Sequence, residues 1–228
     1  MEAFTKIILS GYMLSLSFFS FSFCSKNEDI ETDNSNNDTA NKEDKTSFDD
    51  EEILITYFSR ANYVPEGTDG VSGATNKAGN TQTVAYYIKQ QTEGDIFEIT
   101  PKQDYPISHS ECSAIAQQEV KDNARPTLVS HIENIAKYSI VFVGFPIWVY
   151  HEPMAVLTFL EEYDLKGKTV IPFCTSMAVD ISQSMDDFKN TLPDVTIKQG
   201  LRLEYTLSGN WQSDVDKWLT ELQVKKQQ

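Results

Sequence analysis

Two stretches of the chain bring together residue types that could do chemistry. The first follows the apolar run Ile53-Leu54-Ile55-Thr56-Tyr57-Phe58 and extends from Ser59 through a glycine-rich stretch to Gly79-Asn80-Thr81. Hydroxyls, unhindered backbone N–H groups and the start of a helix in one connection suit an anion such as a phosphate. Ser59, Gly79, Asn80 and Thr81 are its candidate ligands, with an ordinary strand-to-helix connection and N-cap as the alternative. The chain contains no Gly-Lys-Ser/Thr and no Gly-x-Gly-x-x-Gly, which excludes a Walker loop and a dinucleotide fingerprint. The second stretch is His151-Glu152. Pro153 follows and no histidine lies three residues on, so the zinc-protease pattern is absent and His151 reads as an exposed loop residue, with a place at a pocket rim as the alternative. No Gly-x-Ser-x-Gly elbow occurs, against a serine hydrolase. Cys112 and Cys174 read as buried apolar fillers rather than a redox pair.

The elements around these residues alternate. Ile53–Phe58 predicts a buried strand, Thr81–Gln91 a helix with Val84, Ala85 and Ile88 on one face, and 95–100 a second strand. A helix over 110–122, the strong strand Ser139–Phe145, a helix over 154–163, a strand over 169–174 and a short helix over 185–191 follow. Leu201–Leu207 predicts the last strand. Trp211, Val215, Trp218 and Leu222 recur at helical spacing and predict a closing helix with both tryptophans in the core. Strands alternating with helices imply a parallel sheet covered on both faces.

The chain has 228 residues, 40% hydrophobic and 23% charged, which suits a globular protein. Its net charge of −15 argues against nucleic acid as a partner. Three cysteines and three histidines build neither a disulfide framework nor a zinc site. Residues 1–24 read as a signal peptide, because Ile7–Phe23 is an uncharged run of 17 residues preceded by Lys6. Cys24 then borders a polar segment, an arrangement that resembles a bacterial lipoprotein signal with Cys24 as the lipid attachment point. Cleavage after Ser22 is the competing reading, since Phe23 is not the small residue such signals want. Residues 25–52 carry 11 acids and 3 lysines and read as an acidic tether. The folded domain is placed at 53–228, and the protein in the bacterial cell envelope, membrane-anchored or secreted.

Three segments in order resemble the flavodoxin-like family. Tyr57-Phe58-Ser59-Arg60 with Gly79-Asn80-Thr81 resembles its phosphate loop. Gly144-Phe145-Pro146-Ile147-Trp148 with Pro153-Met154-Ala155 resembles its flavin-flanking loop. Gly167-Lys168-Thr169 through Cys174-Thr175-Ser176 resembles its fourth strand and second flavin loop. Asn123-Ala124-Arg125-Pro126 and the long insertion after Ser59 also occur in a bacterial flavodoxin-like subfamily. The resemblance implies a doubly wound five-stranded parallel sheet, order 2-1-3-4-5, with flavin mononucleotide (FMN) at the switch point. Ser59, Arg60, Gly79, Asn80 and Thr81 would hold the phosphate, although an exposed loop position is the alternative for Arg60. Pro146, Ile147 and Trp148 would line one side of the ring, and Thr175 with Ser176 would begin the other.

The departures fall on the ring side. Trp148-Val149-Tyr150 stands where the family usually has Trp-Trp-Gly. Met177 to Ser182 contains no glycine where a glycine-rich run is usual, which narrows or re-aims the loop. Asp180 would place a carboxylate near the ring and lower a flavin's reduction potential. Two functions follow: an FMN-binding electron-transfer protein or oxidoreductase with an unknown redox partner, or an interaction module that has lost flavin. No acid–base residue is required by the first. If Cys24 carries the lipid, Cys24→Ala moves the protein from the membrane to the soluble fraction on fractionation. Retention in the membrane would point to an uncleaved anchor.

Overall fold

The computed structural model describes residues 52–60, 78–106 and 108–224, which fall within the compact unit Lys45–Gln228. The signal, Cys24, the tether through 51 and the glycine-rich stretch 61–77 lie outside the described residues. Six strands, β1 (Ile53–Tyr57), β2 (Asp95–Glu98), β3 (Ile140–Pro146), β4 (Thr169–Ser176), β5 (Thr196–Ile197) and β6 (Leu201–Glu204), alternate with five helices. These are α1 (Asn80–Thr92), α2 (His109–Lys121), α3 (Met154–Glu162), α4 (Ser182–Thr191) and α5 (Trp211–Glu221). All strand pairs are parallel, in the order β2-β1-β3-β4, with β5 and β6 both beside β4. This is the doubly wound 2-1-3-4-5 sheet, its fifth position shared by two short strands.

Strand period sorts the side chains into two cores, as a sheet buried on both faces requires. Leu54, Phe58, Val141, Val143, Phe145, Val170 and Cys174 face α2, α3 and α4. Ile53, Ile55, Tyr57, Phe142, Ile171 and Phe173 meet Val84, Ala85 and Ile88 of α1 and Val215, Trp218 and Leu219 of α5. Cys112 and Cys174 are free and buried. Trp218 is core, whereas Trp211 is only half-buried, its ring edge-on to Tyr87 at 5.2 Å in an open groove between α1 and α5.

The break between β5 and β6 has a cause in Pro172. Lys198 donates its backbone N–H to Val170 O at 3.0 Å, so the next ladder bond should come from residue 172. Proline has no N–H, and sheets tolerate it at bulges. Between the pairs Val170↔Ile197 and Phe173↔Leu201 the partner strand carries one extra residue, Lys198-Gln199-Gly200 against Ile171-Pro172. The single strand expected over 201–207 therefore ends at Glu204 and is preceded by a fragment that sequence period did not reveal. Helix α4 likewise starts at Ser182, not 185; Asp180, one residue before the cap position Ile181, accepts from the Ser182 N–H at 2.9 Å and from its hydroxyl.

The register of β3 on β4 rests on Gly144. A Cβ there would lie 2.1 Å from Cζ of Phe173, inside the ring's own volume. Phe173 is fully buried and cannot retreat. Gly144→Ala is therefore an overpacking change expected to cost about 1–3 kcal/mol, read as a lowered urea midpoint. An unchanged midpoint would show that the ring has room to move.

Candidate functional site

Parallel order places the C-terminal ends of β1, β3 and β4 side by side, where the two halves of the sheet diverge at β1 and β3. Phe58 N donates to Gly144 O at 2.8 Å and Ile99 N to Tyr57 O at 2.8 Å, which squares the ends of β1, β2 and β3. Three connections leave this edge: Ser59 onward to α1, Ile147–Pro153 to α3, and Met177–Ile181 to α4.

The α1 end carries the residues expected to hold an anion. Ser59 is buried at the exit of β1. Arg60 is half-buried, not exposed, and one guanidinium nitrogen donates to Pro106 O at 2.9 Å. Gly79 is the N-cap, extended at φ −69° and ψ 158°, and no acidic residue lies in the first turn of α1. The first-turn N–H groups have no intrahelical acceptor, and a glycine cap puts no side chain over them. The Asn80 side chain turns the other way, donating to Tyr205 O after β6. The buried Thr81 hydroxyl lies 2.8 Å from that of Thr175, the next-to-last residue of β4. Thr81 thus joins the phosphate half of the site to the ring half.

The two ring-side connections are pinned at their roots. Ile147 N donates to Thr175 O at 3.2 Å. Ser176 O accepts from Arg202 at 3.0 Å, Met177 O accepts from the same nitrogen at 2.9 Å, and Tyr205 N donates to Ser176 O at 2.9 Å. Pro146 closes β3. Trp148 packs edge-on to Phe58 at 5.1 Å and Tyr105 at 4.9 Å, so its ring buttresses the loop from inside. Asp180 is turned to the N-terminus of α4, and its Ser182 partners lower its pKa. Its carboxylate is thereby committed to the start of α4.

Beyond Trp148 the chain makes a two-residue turn, with Trp148 and His151 exchanging both backbone bonds at 2.7 and 2.9 Å. Its central residues, Val149 at φ 50° and Tyr150 at φ 71°, lie in the left-handed region. Such a turn favours Asn-Gly, and a β-branched valine there costs on the order of 1–3 kcal/mol. Tyr150 is 67% exposed at the tip, and Met177, first residue of the β4–α4 loop, is 72% exposed. No other large apolar side chain among the described residues is as open to solvent. Sequence reasoning marked both as departures, Tyr150 within 148–150 and Met177 at the head of the glycine-free run, but not their exposure.

A profile of the flavodoxin family matches residues 71–222. The chain belongs to the flavodoxin family. A crystal structure of a candidate flavoprotein from Bacteroides eggerthii is 30% identical, with 77% of this chain and 99% of that chain covered and a TM-score of 0.58. One from Bacteroides uniformis is 27% identical, covering 75% and 98% with a TM-score of 0.59. A Lactobacillus acidophilus flavoprotein, solved in complex with FMN, shares the fold at 19% identity, covering 74% and 98% with a TM-score of 0.53. No curated protein matches the sequence. The residues present fit the cofactor of this family. The phosphate would meet the acid-free first turn of α1 behind its glycine cap, and an apolar ring would cover Tyr150 and Met177.

The ring side holds a further group. His151, expected on the surface, is half-buried, and its Nδ1 donates to Asp187 Oδ2 of α4 at 2.6 Å. Glu152 is 1% exposed, and neither carboxyl oxygen finds a hydrogen-bond partner among the described residues; nor does the buried Ser184 hydroxyl. Burial drives the Glu152 pKa from 4.5 up to about 7; Ser184, close by, and its own backbone N–H pull it back, and the Asp187 charge adds to the rise. A raised acid favours folding below 4.5 and loses that contribution as pH climbs through 7. The displacement from 4.5 to about 7 corresponds to about 3 kcal/mol. Relative to Glu152→Gln, the wild type should lose about that much unfolding free energy between those pH values and none above, measured by urea titration. Parallel curves for the two proteins would place Glu152 in contact with water.

Proposed function

We propose that this protein binds FMN at the C-terminal edge of its sheet and serves as an electron-transfer protein or oxidoreductase. The observation that carries this reading is the open N-terminus of α1 beside β1, combined with two exposed apolar side chains on the adjacent β3 and β4 loops. Family membership supports it, as does the FMN complex of the Lactobacillus acidophilus relative in fold. When bound, FMN supplies reversible hydride and single-electron chemistry. Asn80, Thr81 and Gln82 N–H groups hold the phosphate with the field of the helix, which suits a chain of net charge −15. Ser59 supplies a hydroxyl at the same edge. Tyr150 and Met177 flank the ring and exclude water, and Thr81 with Thr175 keeps the two halves in register. The protein acts in the bacterial envelope, held to the membrane through Cys24 and spaced from it by the acidic tether. No helix among the described residues is long and apolar enough to cross a membrane.

The glycine-free loop after β4, with its first carbonyls taken by Arg202, favours the second reading, an interaction module without flavin. Titrating FMN into the purified chain decides between them: binding shifts the visible flavin spectrum, and an unchanged spectrum leaves the second reading. A finer test addresses the phosphate. Gly79 is extended at ψ 158°, the conformation a following proline requires, and proline is accepted at the first helical position. Asn80→Pro should therefore delete one N–H donor and keep the helix. Compared with Asn80→Ala, it should weaken FMN by about 1.5–3 kcal/mol and leave riboflavin, which lacks the phosphate, unchanged. Equal losses for both ligands would place the phosphate elsewhere.

A further inference from the structure

The two connections that would flank the ring are joined at their roots by backbone, Ile147 N to Thr175 O. Farther out, the β3–α3 loop reaches the β4–α4 side through side chains. His151 bonds Asp187, and Glu152 lies against Ser184, both from the first two turns of α4. Between root and clasp sit Val149 and Tyr150 at positive φ, a conformation that persists only where surrounding contacts impose it. Glu152 is the part of the clasp with a proton to lose.

We propose that Glu152 is a positioning residue: while it holds a proton it clasps the β3–α3 loop onto α4, and this keeps Tyr150 placed to receive the ring. The proposal rests on the flavin reading above. It makes binding of the ring take up one proton whenever Glu152 is ionised in the free protein. A neutral carboxyl can remain in a site at 1% exposure; an ionised one, helped there only by the nearby Ser184 hydroxyl and its own backbone N–H, is driven toward water. The charges that face it do not substitute for water. His151 is bonded to Asp187, and Asp187 itself repels a second carboxylate. Arg125, in the connection before β3, senses Glu152 but is held by Glu161 of α3 through two bonds of 2.6 and 2.7 Å. With α3 starting at once behind Pro153, the free direction for Glu152 is outward with its own loop. That movement releases the strained turn and takes Tyr150 with it.

The test uses riboflavin, whose lack of a phosphate removes a competing titration, and the full chain at pH 5.5 to 9. Carbon-13 NMR of glutamate-labelled protein reads the Glu152 carboxyl, expected to titrate near pH 7 in the free protein. The riboflavin Kd should rise about tenfold per pH unit above that point, the slope for one linked proton, and Glu152→Gln should abolish the rise. A riboflavin affinity that ignores the Glu152 titration would overturn the proposal, as would the same slope in Glu152→Gln. If neither riboflavin nor FMN binds at any pH, the flavin reading falls, and the ligand-free protein decides whether the clasp exists. Amide signals of Trp148–His151 and Gln183–Asp187 moving together with the Glu152 titration keep it; their indifference to that titration removes it.

Discussion

The ring of Phe173 fills the space that a side chain at position 144 would need, and that contact sets how β3 lies on β4. With Gly144 opposite Phe173, the last pairs are Phe145↔Cys174 and Pro146↔Thr175, so the two strands end level. Level ends let Ile147 N reach Thr175 O, and they present the Thr175 hydroxyl to Thr81 at the start of α1. The same residue fixes the other side, because Gly144 O accepts from Phe58 N at the exit of β1. One missing Cβ thus aligns three connections. A shift of one residue between parallel strands would move every inward side chain to the wrong face, and the site would be lost with the core.

The second constraint works through Pro172. By interrupting the ladder it divides the fifth strand, and the extra residue lets the second fragment rejoin β4 at Phe173↔Leu201. Gly200 makes the crossing possible, since a Cβ there would stand 2.8 Å from Ile181 and 3.0 Å from Met185 at the base of α4. Beyond the crossing, β6 delivers Arg202 to the carbonyls of Ser176 and Met177, and Tyr205 to Asn80 and Ser176. The loop after β4 is consequently held from behind by an arginine rather than made supple by glycines. Its lack of glycine, which reads in the sequence as a narrowing of the pocket, is matched in the structure by a short, fixed turn running into an earlier helix start.

The alternation of strands and helices was legible because it depends on residue period, which survives without tertiary knowledge: Ile53–Phe58 and Ser139–Phe145 declare themselves by composition, while the order 2-1-3-4-5 came from the resemblance to the flavodoxin-like family. The split at 198–200 was not legible, since two-residue β5 leaves no periodic trace and the proline responsible lies on the neighbouring strand. Within the site, Gly79-Asn80-Thr81 was visible as a helix start, yet the directions of Asn80 and Thr81 were not. Those depend on Tyr205 and Thr175, 125 and 94 residues away. His151 and Glu152 were visible as a pair, but His151 was read first as a surface residue and the burial of Glu152 was not foreseen, because burial is set by α4 packing across them. Asp180 was read only for its charge near a ring; its bonds to the Ser182 N–H and hydroxyl at the start of α4 were not foreseen.

What distinguishes the two halves of the edge is where the strain lies. The phosphate side is ordinary: an extended glycine cap, a standard first turn and satisfied hydroxyls. The ring side concentrates two unfavourable features in four consecutive residues, a left-handed valine–tyrosine pair and a buried carboxyl without a partner. Neither helps the fold. An apolar side chain at 152 would sit more comfortably in a site at 1% exposure, and a glycine at 150 would relax the turn. Both features bear on the same outcome, the position of Tyr150 relative to α4. A rigid half that selects the anion and a costly, movable half that meets the ring is the division of labour this geometry supports. The energy stored at 149–152 is available to be released when that loop moves.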